Sequence, residues 1–419
     1  MAKIKQISAR EILNAKGEPT IETTVILSDG AVGIASVPSG TSVGKYEAVD
    51  LKDNDPKRFN GNGVLNAIGS IHKVLTPLLT GLEASNQQQV DKKMIELDAT
   101  PNKSKIGANA ILSVSIAVAK ASARSAVLPL FLYLREFVKK DDAPLKIPTP
   151  CFNIINGGVH GGGSIDFQEF LIIPATSKKY SESLQLGTNV YFALKKAIES
   201  NNLSSLIGYE GGFSPKLSSN QDALLLIKQA LEAANLRVGF DMFLGLDAAA
   251  NNFYNENKYM IRDKSTTLTS KDLIMFYKMV NEQFHLLYLE DGLAEDDWEG
   301  WKELYATMSQ QTLIVGDDLV ATNPFRLSEA ISKSALSGVI IKPNQIGTIL
   351  ESLAVCEMAK QAGLKVVVSH RSGETNDDFI ADFAVAVSAD YVKFGAPVRG
   401  ERVAKYNRLL SIESQLKSL

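Results

Sequence analysis

Through the last two thirds of the chain, short apolar runs recur, and each stops at a polar or charged residue. MFLGLD ends at Asp247, LLYLED at Glu290 and Asp291, and TLIVGDD at Asp317 and Asp318. GVIIKPN reaches Lys342, KVVVSHR reaches His370 and Arg371, and YVKFGA carries Lys393. From Glu290 onward the steps between these residues are 27, 25, 28 and 23. Helical patterns such as NPFRLSEAISKSA and TILESLAVCEMAKQAG fill the intervals. A strand–helix step of that length predicts parallel strands joined by crossover helices. Six or more such units predict a (β/α)8 barrel rather than an open sheet. Barrels of this kind carry their chemistry at the C-terminal ends of the strands, where this chain places its charges.

The N-terminal part has another rhythm. TIETTVIL (20–27) and AVGIASV (31–37) flank the turn Ser28-Asp29-Gly30 and predict a hairpin. Three helical patterns follow: GVLNAIGSIHKVLTPLL, NQQQVDKKMIELD and the Ala-rich ANAILSVSIAVAKASARSA. Strands followed by helices predict an α+β unit. The proline-rich DDAPLKIPTP (141–150) marks the boundary, giving an α+β domain over 1–140 and a barrel over 141–419.

Composition narrows the class. At 419 residues the chain exceeds one small domain, and a net charge of -3 gives no broad case for nucleic acid or an anionic membrane. Two cysteines, Cys151 and Cys356, are too few for a disulfide framework and sit in apolar surroundings, as packing residues would. MAKIKQISAREIL lacks a signal-peptide core, and AVLPLFLYL is too short to span a bilayer. A cytoplasmic protein is expected.

The strand-end carboxylates Asp247, Glu290 and Asp317 could each be a helix cap or a salt-bridge partner. Three at one barrel mouth cannot all stay ionised without a counter-charge, and hard oxygen donors favour Mg²⁺. Lys342 and Lys393 either pair with such acids or work chemically, one as a base and one as a fixed cation. SHRSGE (369–374) offers a guanidinium fork, a hydroxyl and amides suited to phosphate. PSGTSVG (38–44) is a lid or a plain connector, and NGGVHGGGSIDFQEF carries His160, Gln168 and Glu169. In IGYEGGFSP (207–215), one carboxylate, Glu210, is held among glycines.

Taken together, SHRSGET, IKPNQIG, VGDDL, LEDGL, KSKIGANAILSVS and VAKYN resemble the enolases, over nearly the whole chain. The resemblance implies an N-terminal α+β domain and an α/β barrel whose first strands depart from simple alternation. It implies reversible dehydration of 2-phosphoglycerate to phosphoenolpyruvate with two Mg²⁺ ions, the second arriving with substrate. Asp247, Glu290 and Asp317 match the ligands of the first ion, and Ser42 matches a lid residue at the second. Lys342 matches the base at C2, and Glu210, with Glu169 beside it, the acid at C3. Lys393 matches the holder of the substrate carboxylate, Arg371 and Ser372 the holders of the phosphate. His160, Gln168 and His370 match other pocket positions, and a homodimer or a higher oligomer is implied.

Some positions depart from the family pattern. Tyr209 stands where aspartate is usual, which should ease ionisation of Glu210. Glycines fill 161–163, Asn251-Asn252 replaces Ser-Glu, and Lys16 stands for an arginine that often ties subunits together. Two other readings therefore stand beside the enzyme: a weakened paralogue acting as a binding or scaffold protein, and a relative acting on non-phosphorylated acid sugars. The phosphate-type donors of SHRSGE speak against the latter.

Overall fold

The computed structural model describes residues 2–40, 44–138 and 145–418. The N-terminal unit is a three-stranded antiparallel sheet of β1 (Ile4–Leu13), β2 (Pro19–Leu27) and β3 (Val32–Ser36). The predicted hairpin is β2–β3. Strand β1 is an addition to the sequence reading. Only Ile4 and Ile7 of β1 are buried, and a register shift falls between Ile4 and Gln6, so it shows little of the period-two signal. Helices follow at 65–79, broken by one wide turn at Ile71–Leu75, and at Gln87–Asp98 and Ala108–Ser125. The last is Ala-rich because it packs tightly on the sheet. A Cβ on Gly33 would meet the Ala117 carbonyl at 2.0 Å, so β3 tolerates no side chain there.

Eight strands close a barrel: β4 (Thr149–Asn156), β5 (Glu169–Pro174), β6 (Met242–Asp247), β9 (Leu286–Glu290), β10 (Leu313–Gly316), β11 (Gly338–Ile341), β12 (Lys365–Ser369) and β13 (Tyr391–Lys393). A small ribbon, β7 (Tyr254–Asn255) and β8 (Lys258–Tyr259), stands outside it. From β6 onward each barrel strand is followed by a helix and pairs in parallel with its successor. The strands that carry the repeating step are parallel as expected, while β5 runs antiparallel to both β4 and β6, the departure from simple alternation that the resemblance implies for the first strands. The cause is local. Residues 157–168 hold only a short 3₁₀ turn, so there is no crossover helix and the chain must double back. Two helices, Tyr180–Ser200 and Asn220–Ala233, then precede β6.

Sequence-encoded caps start several of the barrel helices. Ser219 with Asp222, and Thr269 with Asp272, form reciprocal capping boxes. Asn323 caps a helix that starts with Pro324. The barrel lumen is filled by Cys151, Leu171, Ile173, Tyr288, Val315, Ile340 and Val367. Both cysteines are buried and unbridged, as expected of packing residues. Among the described residues no helix is long and apolar enough to cross a membrane.

The N-terminal unit sits against the barrel through specific contacts. Ser39 and Gly373 exchange backbone hydrogen bonds at 2.9 Å, and Lys103 pairs with Glu351 at 2.8 Å. Asp91, fully buried, accepts the Leu350 N–H at the start of the helix Ile349–Gln361.

Candidate active site

Side chains in a strand alternate between two faces. Every barrel strand that plugs the lumen therefore returns to the lumen two residues later. Going up from the plug, Cys151 leads to Asn153, Gly245 to Asp247, Tyr288 to Glu290 and Val315 to Asp317. Ile340 leads to Lys342, Val367 to Ser369 and Tyr391 to Lys393. In the reversed β5 the step runs the other way, from Leu171 to Glu169, and Glu169 registers with both Asn156 and Asp247. Each of the eight strands thus contributes one polar residue, within it or, for Asp317 and Lys342, directly after it, to a ring above the hydrophobic plug. Four carboxylates and two ammonium groups leave two negative charges over if all ionise.

The lysines lie among the acids. Lys393 Nζ is 2.7 Å from Glu290, 3.0 Å from Asp247 and 3.3 Å from Glu169. Burial alone would lower its pKa, but the three acids hold it well above the ordinary lysine value. Lys342 pairs with Asp317, which also accepts from Gln345 Nε2 at 3.1 Å. Burial opposes the charge on both partners, yet their attraction wins: Lys342 is shifted up and Asp317 down. Burial beside Asp247 pushes Glu290 up to about 8. Gln168 reaches Asp247 at 3.4 Å, and Asn252 lies 3.5 Å from Gln168.

On one wall Glu169 of the ring is joined by a further acid, Glu210. Glu210 and Glu169 both face His160 Nδ1, at 3.6 and 3.7 Å. Glu210 Oε2 accepts from Asn153 Nδ2 at 3.0 Å and lies 3.3 Å from His370 Nε2. Burial raises both acids. In Glu169 the neighbouring Glu210 charge adds to that, and its pKa stands well above the usual range. In Glu210 the surrounding His370, His160 and Arg402 outweigh burial and hold it well below. Gly395 closes this wall. It has φ +83°, and a Cβ there would lie 2.8 Å from both the Glu210 carbonyl and His370 Cε1.

The loop that follows His370 brings Arg371 and Ser372 into the same pocket. Arg371 makes a two-pronged buried pair with Glu47 of the N-terminal unit, at 2.7 and 3.1 Å. Nearby, Asp291, Asp317 and Asp318 form a close acidic group. Asp291 accepts the backbone N–H of both Asp317 and Asp318.

Among the described candidates, His160, Gln168, Glu169, Glu210, Asp247, Asp317, Lys342, His370, Arg371, Ser372 and Lys393 line one pocket. Glu290 joins them through Lys393. Ser42 lies outside the described residues. Tyr209 does not pack on Glu210. The residue is 46% exposed, and Lys16 Nζ stands 5.5 Å from the ring centre, so two departures from the family pattern meet each other. Sequence reasoning missed Asn153, Glu47, Gln345 and Arg402. Strand alternation in CFNIIN could have found Asn153; the others arrive from separate elements with no periodic signal.

As to a metal, the donor set fits a hard divalent cation: buried carboxylates at one mouth, two of them, Glu169 and Glu290, raised in pKa by burial and by neighbouring acids, so that an added cation would favour their ionised form. Residues 4–134 match the family model described as "Enolase, N-terminal domain", and residues 144–419 match "Enolase, C-terminal TIM barrel domain".

Proposed function

Because the chain belongs to the enolase family, we propose that it catalyses the reversible dehydration of 2-phospho-D-glycerate to phosphoenolpyruvate. The observation that carries this reading is the eight-membered ring, with lysines set among carboxylates and flanked by Glu210 and an arginine-bearing anion loop. Asp247, Glu290 and Asp317 would hold Mg²⁺, and Ser42 is assigned to a second Mg²⁺ that comes with substrate. Bound Mg²⁺ supplies positive charge against the dianion that forms when a proton leaves a carbon next to a carboxylate.

The chain's own groups divide the remaining work. Arg371 and Ser372 hold the phosphate, and Lys393 holds the substrate carboxylate. Lys342 takes the C2 proton. Its pairing with Asp317 keeps it an ammonium, so it works as a base only when another cation compensates Asp317. Hydroxide leaves C3 only with a proton, and Glu210 with Glu169 supplies it, the proton resting on Glu169 until substrate binds. His160 and His370 orient that pair, while Gln168 steadies Asp247 and faces the substrate.

We also propose that the domains divide near residue 140 and that two copies associate. Leu13, Leu206, Ile207 and Tyr209 leave large apolar surface exposed around the Lys16 contact. A cytoplasmic setting, within glycolysis and gluconeogenesis, accords with the reaction.

Ultraviolet detection of phosphoenolpyruvate from 2-phosphoglycerate, with and without Mg²⁺, tests the reading. Metal-dependent product formation is expected. Absence of product while Mg²⁺ still binds would overturn it in favour of a scaffold role.

A further inference from the structure

Arg402 lies in the first turn of the last helix, Gly400–Leu416, and is fully buried. Its guanidinium reaches two different loops. Nη1 donates to the Arg371 carbonyl and lies 2.7 Å from His370 Nδ1. Nη2 donates to the Ser372 carbonyl at 2.6 Å and to the Tyr209 carbonyl at 3.5 Å. The carboxylate of Glu401 stands farther away, 3.7 Å from Nε.

A guanidinium has donors and no acceptor. At 2.7 Å from it, His370 Nδ1 must therefore be the acceptor, and the proton of the neutral ring belongs on Nε2. That nitrogen is the one 3.3 Å from Glu210 Oε2. The contact is not in line with the N–H, so a small rotation of either group completes it, as catalytic contacts often tighten on binding. The same Glu210 oxygen already takes the Asn153 amide.

We propose that Arg402 is a positioning residue for the dehydration, fixing His370 as the Nε2–H tautomer so that the ring presents a donor to Glu210. The same guanidinium ties the Tyr209–Glu210 loop to the Arg371–Ser372 loop, so the acid and the anion-holding groups move as one unit. The inference rests on the dehydration reading for the role of Glu210. The charged and titratable groups facing His370 are Glu210, Arg402 and Glu374. Burial first, with the Arg402 charge adding to it, brings the His370 pKa down to about 4, against the pull of Glu210.

The chain has 4 histidines, so ¹⁵N-imidazole NMR can assign His370 by difference with a His370→Asn variant. In the unaltered protein a neutral Nε2–H ring is expected at pH 7. An Nδ1–H ring or an imidazolium there overturns the proposal, whether or not the protein forms phosphoenolpyruvate. Arg402→Met should release the tautomer and move His370 titration towards neutrality. It should also lower kcat for dehydration by about tenfold or more, with C2 proton exchange less affected. An Arg402→Met protein with the tautomer unchanged refutes the assignment. If that variant does not fold, the spectrum of the unaltered protein still decides.

Discussion

Glu47 and Arg371 lie 324 positions apart and meet in a buried two-pronged pair that joins the N-terminal unit to the anion loop of the barrel. Burial disfavours the charge on Arg371, and Glu47 is the first group that offsets it. Removing one partner of such a pair costs about 3–5 kcal/mol. Glu47→Ala should therefore lower the unfolding temperature strongly. Inorganic phosphate should recover part of the loss, because an anion restores compensation to Arg371. The comparison is thermal unfolding of both proteins across a phosphate series. Equal phosphate shifts in the two would count against an anion site at Arg371.

Lys342→Ala should reduce turnover by about 10²–10⁴-fold or more, the range for losing a general base. Mg²⁺ binding should persist, because no carboxylate is lost. Calorimetric titration with Mg²⁺ beside a turnover assay separates the two effects. Substantial residual turnover would sink the base assignment.

Glu210→Gln keeps the shape of the side chain but removes its ability to take up and pass on a proton. Loss of a hydroxyl from C3 should stop, while exchange of the C2 hydrogen with deuterated solvent should continue. Proton NMR of 2-phosphoglycerate reads both. If exchange and dehydration fall together, Glu210 does more than protonate the leaving group.

Asp91 should make the seam between the two units sensitive to pH. It is fully buried, and burial raises its pKa from 3.8 to about 7. In the unfolded chain it ionises near its ordinary value, so the folded state binds the extra proton. Its contribution is full below pH ~4 and is lost as pH rises through about 7, a loss of order 4 kcal/mol. Asp91→Asn should flatten this dependence. Stability curves at pH 5 and pH 8 that differ equally in both proteins would contradict this account.

The strand–helix step, the N-terminal hairpin and the strand-end charges were legible because each is a local pattern. MFLGLD and KVVVS mark β6 and β12 in the sequence, and their polar ends lie at the mouth. The reversal of β5 was not legible from periodicity. EFLIIP is buried throughout and apolar after Glu169, and such a run carries no direction. Nor could the chain announce that Tyr209 turns outward to Lys16, since adjacency to Glu210 says nothing about which way a loop side chain points. Glu47 and Arg402 were hidden for a different reason. Their partners lie on other elements, and pairing across the fold leaves no spacing to detect.

The ring draws one side chain from, or directly after, each of eight strands, spread from Asn153 to Lys393. No fragment and no partly assembled sheet contains it. During refolding, catalytic activity should therefore return only with the last strand to dock, later than the recovery of helical signal. The site is in effect a gauge of barrel closure, and a cut in any strand should silence it however much of the remaining structure survives.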